Sequence, residues 1–333
     1  MGAAAIFGCE GVDLSPRERD FFRESDPWGF ILFGRNIEDP QQVTRLTSSL
    51  RDAVGRDAPI LIDQEGGRVQ RLRAPHWREW AAPLDQAALA GENAARSFWL
   101  RARIMADELR SVGIDVNCAP TCDLASWITH PFLRNRCLGS SVDQVVANAR
   151  ATADGLLAGG VLPVIKHIPG HGRAVADSHK NLPEVGADLN DLRHTDFAPF
   201  AALADLPMGM TAHIRFSALD SAPATQSARM IGLIRDEIGF DGLLMSDDIG
   251  MEALSGGPGT RTRAALAAGC DLVLHCNGEM GAMEEVALAA PALSAQAQRR
   301  AEAALDRRLP PDAVDIAALD AEFEALMSGG GHG

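Results

Sequence analysis

Short apolar runs of strand length recur along the chain, and nearly every one closes on polar residues. They are AAIFGCE, WGFILFGRN, APILIDQEGG, GIDVNCAPTCD, VLPVIKH, PMGMTAH, DGLLMSDD and CDLVLHCN. Between them lie stretches with the 3.6-residue period of amphipathic helices, among them PQQVTRLTSSLRDAV, AARSFWLRARIMADELRSV, VDQVVANARATADGLLAGG and QSARMIGLIRDEIG. Strand alternating with helix argues for a parallel sheet. Eight such units favour an α/β fold of the TIM-type (β/α)8 class over an open doubly wound sheet. We therefore expect a single barrel domain over residues 1–326. The closing MSGGGHG, residues 327–333, reads as a disordered tail. The Ala-rich stretch from Glu284 to Arg308 reads as helix.

The polar residues that close the runs are Glu10, Arg35 and Asn36, Asp63 and Gln64, Asn117 and Asp123, Lys166 and His167, His213, Asp247 and Asp248, and Asn277. In a barrel these ends converge on one mouth, where active sites are built. A single polar residue after a strand is an ordinary loop start; so many, several of them ionisable, point to a site.

Composition narrows the partners. The chain of 333 residues is 46% hydrophobic and 23% charged, with a net charge of −14. That charge argues against a nucleic-acid backbone or an anionic membrane as partner. No apolar run approaches the ~18 residues of a membrane span. The N-terminal AAAIFGC run has no Lys or Arg before it and is too short for a secretory signal, so it reads as the first strand. The six cysteines form no disulfide framework and no paired metal-ligand spacing. They read as thiols in a reducing cytoplasm, in a protein expected to be a monomer.

The sequence carries no phosphate-binding glycine fingerprint, no G-x-S-x-G elbow and no H-E-x-x-H. No cofactor and no metal are expected, although His167, His171, Asp177 and His179 leave a metal hydrolase as an alternative. Carboxylates remain. Asp247 and Asp248 end a strand, where alternation sends one side chain into the mouth and the other away. Asp177 and His179 stand two apart in DSH, so in an extended loop the carboxylate can orient the imidazole for proton transfer. A D-x-H alone also fits an ordinary surface turn.

The stretch KHIPGHGRAVADSHKNLP, from Lys166, resembles the signature of bacterial β-N-acetylglucosaminidases of glycoside hydrolase family 3. That signature runs K-H-F-P-G-H-G, four variable residues, then D-S-H-x-x-L-P; here Ile168 replaces the usual Phe. ILFGRNI, LIDQEGGRVQRL, GIDVNCAPTCDL, MTAHI, PATQS and GLLMSDDIGM follow the family's order, so the resemblance covers most of the chain. It implies a retaining enzyme with Asp247 as nucleophile rather than Asp248. It also implies His179 as general acid/base, assisted by Asp177 on a mobile loop. Asp63, Arg71, Arg136, Lys166 and His167 are implied as contacts to the N-acetylglucosamine hydroxyls. The NRCLG stretch departs from the family, with Cys137 and Leu138 after the arginine where a small polar residue and an aromatic are usual. The chain is similar to the compact single-domain type that removes terminal N-acetylglucosamine from peptidoglycan fragments in cell-wall recycling. Alternatives are a β-glucosidase or a phosphorolytic enzyme of the same fold, and a catalytically silent sugar-binding protein. His171 has no assigned role beyond shaping its loop.

Overall fold

The computed structural model describes residues 2–175 and 181–329. Among these residues ten strands run in chain order: β1 (Ala3–Gly8), β2 (Pro27–Leu32), β3 (Ile60–Ile62), β4 (Val116–Asn117), β5 (Leu162–Ile168), β6 (Glu184–Val185), β7 (Met208–Thr211), β8 (Arg215–Phe216), β9 (Leu243–Asp248) and β10 (Leu272–His275). Eight of them close a barrel in the order β1-β10-β9-β7-β5-β4-β3-β2, while β6 and β8 pair separately. Every neighbouring pair in the barrel is parallel. The eight barrel strands are the eight apolar runs read from the sequence.

Strand alternation divides the buried side chains between two cores. Ile6, Ile31, Leu61, Val116, Val164, Met210, Met245 and Leu274 fill the barrel interior. Their neighbours Phe7, Phe30, Ile60, Ile62, Ile165, Leu244 and Val273 pack outward under the helices. With both faces covered, the strands read as continuous apolar runs rather than as alternating ones. The helices start where the sequence supplies caps: Ser15 forms a capping box with Glu18, and Asp39, Ser141, Ser227 and Ser294 each accept from a first-turn N–H. None of the helices among the described residues is long and apolar enough to cross a membrane.

Two expectations change at the C-terminal end. The Ala-rich stretch is two helices, Met280–Ala289 and Ala295–Leu305. Pro291 falls between them, where the chain crosses to the first strand: the Pro291 carbonyl accepts from Ala4 N at 2.8 Å. A final helix, Ile316–Gly329, continues three residues past the point where a disordered tail was expected. Its Leu326 and Met327 rest on the core, which keeps the backbone helical there. Phe323 meets Trp80 edge-on with centroids 5.5 Å apart, and Arg78 pairs with Asp320 and Glu324.

At the end of the barrel opposite the mouth, Asp115 joins four segments. It accepts from Ile60 N at 2.8 Å and from Arg51 at 2.9 Å, and it pairs with Arg308. Its side chain is 3% exposed. Removing one member of a buried charge cluster leaves the others unpaired, at a cost of about 3–5 kcal/mol. Asp115→Ala is therefore expected to lower stability by about that amount in denaturant unfolding, while the folded fraction keeps its catalytic rate. A loss under about 1 kcal/mol would show that the cluster is not structural.

Candidate active site

The C-terminal ends of the strands surround a cavity of about 370 Å³. Asp63, Arg71, Arg136, Lys166, His167 and Asp247 all line it, so six of the eight site residues expected from the sequence come together. Asp177 and His179 lie outside the described residues.

One wall is a buried charge network. Lys166, at the end of β5, is 2% exposed. Its Nζ donates to Asp63 Oδ1 at 2.8 Å and reaches Glu65 Oε1 at 2.6 Å. Arg71 NH2 meets the other Asp63 oxygen at 3.0 Å. Arg136 grips Glu65 with both arms, Nε to Oε2 at 2.8 Å and NH2 to Oε1 at 2.7 Å. Burial alone would neutralise Asp63, Glu65 and Lys166, but each is held charged by its partners. Against burial, Lys166 and Arg71 carry Asp63 below the usual carboxylate range. Arg136 and Lys166 likewise bring Glu65 down to about 2. Asp63 and Glu65 in turn push Lys166 above the usual lysine range, although burial works the other way.

Glu65 was not among the expected site residues. Its signal was its place two residues after Asp63, on the same side of an extended chain. The backbone here is supported from behind. Arg101, buried beneath it, donates to the Glu65 and Ala81 carbonyls and to Gln86 Oε1. Gly66 has φ +103 and passes so close to that guanidinium that any Cβ would collide with it. Burial lowers Arg101 to about 9, still protonated at neutral pH.

The β5–β7 register slips between Lys166 and Ile168, and there two successive residues, Lys166 and His167, both line the cavity. Its Nδ1 lies 2.7 Å from Asp123 Oδ2, and its Nε2 lies 3.4 Å from Arg136 NH2. A guanidinium only donates, so Nε2 accepts and the ring proton on Nδ1 is given to Asp123. Asp123, a strand-end residue in the sequence, is thus the group that orients His167. In the NRCLG turn, Cys137 is buried with Ala125 and Leu133 in a small apolar cluster that fixes the turn carrying Arg136.

Asp247 and Asp248 end β9 with different surroundings. Asp248 Oδ1 accepts from Gly250 N at 2.9 Å and from Cys276 N at 3.2 Å, so its carboxylate serves the backbone. The Asp247 carboxylate takes one local bond, from Asp248 N at 2.8 Å. Burial would raise it, but His213, His167, the Asp248 N–H and Lys166 together hold it below the usual carboxylate range. It is an anion at neutral pH. His213 supports this corner: its Nε2 donates to the Asp248 carbonyl at 2.9 Å, and Nδ1 lies 2.8 Å from Thr225 Oγ1. The sequence flagged His213 as a strand end without a role. Among the described residues, no group of His, Cys, Asp and Glu is arranged to hold a metal.

A barrel whose mouth presents an ionised strand-end aspartate across from fixed charged donors and acceptors is suited to gripping a polyhydroxylated substrate. Residues 17–308 match the family described as the glycosyl hydrolase family 3 N terminal domain. The β-hexosaminidase of Alkalilimnicola ehrlichii is 39% identical over 280 residues, which span 82% of this chain and 80% of that one. The β-hexosaminidase of Pseudomonas aeruginosa is 38% identical over 294 residues, 87% of this chain and 86% of that one. The crystal structure of NagZ from Neisseria gonorrhoeae in complex with N-trifluoroacetyl-D-glucosamine has a TM-score of 0.83 at 28% identity, over 98% of this chain and 96% of that one. The fold and these matches define a glycoside hydrolase. The chain belongs to glycoside hydrolase family 3.

The network's charge state sets an acid limit. Glu65 falls from an ordinary 4.5 to about 2 in the folded protein, so its contribution to stability is complete above about 4.5 and disappears as pH falls towards 2. Glu65→Gln removes that contribution. Melting temperatures measured across pH 3 to 7 are expected to show the gap between wild type and Glu65→Gln largest near neutrality and narrowing below about pH 4.5. A gap that stayed constant across this range would contradict an ionised Glu65.

Proposed function

We propose that this enzyme, a β-N-acetylhexosaminidase, removes terminal N-acetylglucosamine from peptidoglycan fragments with retention of anomeric configuration, acting as a cytoplasmic monomer in cell-wall recycling. The observation that carries the reading is Asp247. It is an anion at a rigid strand end, it opens on the cavity, and among the described residues one local hydrogen bond leaves most of its acceptor capacity unused. Asp247 attacks the anomeric carbon, and the bond to the leaving oxygen breaks as a glycosyl-enzyme ester forms. His179, oriented by Asp177, protonates the leaving oxygen. It then takes a proton from the water that opens the ester. Asp63 accepts from sugar hydroxyls. Lys166 and Arg136 donate to them from positions already fixed, so little order is lost on binding. The six cysteines are free and buried, which suits a reducing compartment.

Turnover of aryl β-N-acetylglucosaminides tests these roles. Asp247→Ala is expected to lose about 10⁴-fold or more in kcat. His179→Ala is expected to lose about 10²–10⁴-fold on poor leaving groups and much less on activated ones. Equal losses on both would remove His179 from the acid role. Proton NMR of the first-formed sugar is expected to show the β anomer; the α anomer would overturn the double displacement. Sugar 1-phosphate appearing on addition of phosphate would reassign the enzyme as a phosphorylase.

A further inference from the structure

His171 is an ionisable side chain of the cavity wall that the proposed reaction does not use. His171 is 7% exposed and lines the cavity beside His167. Its backbone N–H donates to Asp123 Oδ1 at 2.6 Å. Its ring meets the His167 ring edge-on, with centroids 5.6 Å apart at 60°. These two contacts fix where the imidazole sits, yet neither engages a ring nitrogen. Both Nδ1 and Nε2 are buried and find no hydrogen-bond partner among the described residues. Folded proteins leave few buried polar atoms unpaired, and two on one ring at a cavity wall are a place prepared for something that arrives.

The chemistry of the wall says what kind of group arrives. Burial, with His167 beside it, brings His171 down to about 4, so the ring is neutral in the physiological range. A neutral imidazole offers one donor and one acceptor. Lys166, Arg71 and Arg136 only donate, whereas Asp63 and Asp247 as anions only accept. A hydroxyl both gives and takes a hydrogen bond. We propose that His171 is a further substrate-binding residue, one of whose ring nitrogens hydrogen-bonds a hydroxyl of the bound saccharide, adding to specificity without adding charge. The inference rests on the cavity being the saccharide site.

Two substitutions separate this role from packing. His171→Phe keeps a ring against His167 but has no polar atom. His171→Gln restores a donor and an acceptor. Both are assayed for kcat/KM on an aryl β-N-acetylglucosaminide and on its singly deoxygenated analogues, with melting temperatures measured alongside. His171→Phe is expected to lose about tenfold in kcat/KM on the parent with an unchanged melting temperature, the scale of one neutral hydrogen bond. His171→Gln is expected to recover part of that. For the analogue lacking the contacted hydroxyl, wild type and His171→Phe should become equal. Wild-type kcat/KM in His171→Phe would overturn the proposal. So would an equal loss on every analogue without recovery in His171→Gln, which would leave only a packing role. A wild type inactive on every sugar would instead remove the saccharide-site reading, and this inference with it.

Discussion

The site depends on a lysine buried between two carboxylates. Lys166 meets Asp63 at 2.8 Å and Glu65 at 2.6 Å, and Arg136 closes the far side of Glu65 with two bonds. Taking any one of these charges out of water alone would cost several kcal/mol. Together they neutralise one another and keep their directions. Because the partners come from the ends of β3 and β5 and the turn at Arg136, the network also sets the spacing of three separate segments. The apolar barrel interior beneath it holds the strand ends in place, and Arg101 supports the Glu65 backbone from below. The result is a wall of donors and acceptors that needs little reorganisation when a sugar arrives.

The same logic explains why two adjacent aspartates at the end of β9 differ. Asp248 is committed to backbone N–H groups, so it shapes the turn after the strand. Asp247 sits among imidazoles and across from the cationic wall, which keeps it ionised despite burial. A carboxylate that is both anionic and sparsely hydrogen-bonded suits nucleophilic attack. The rigid strand ends carry binding and nucleophile, and the segment after β5 carries the proposed proton-transfer pair.

Much of the fold was legible because each barrel strand is buried on both faces and therefore apolar throughout, so its length and its polar end stood out. The break at Pro291 and the helical run through Gly329 were less legible, since both depend on tertiary packing, against the first strand and against the core. In the site, Asp63, Lys166 and Asp247 were marked by their strand-end positions. Glu65, Asp123 and His213 act through partners distant in sequence, Lys166 and Arg136, His167, and the Asp248 carbonyl, and no local pattern specifies those pairings. Cys137 and Leu138 depart from the family's pattern in the Arg136 turn, and there Cys137 joins a small apolar cluster that steadies it. The DSH pair was legible only as a motif.

The most direct measurement is a crystal structure after soaking with a slow fluorinated N-acetylglucosaminide. The expected density joins the anomeric carbon to an Asp247 carboxylate oxygen, with the sugar hydroxyls on Asp63 and Lys166. A bond to any other residue, or an unbroken substrate lying away from Asp247, would contradict the assignment of the nucleophile and of the wall that faces it.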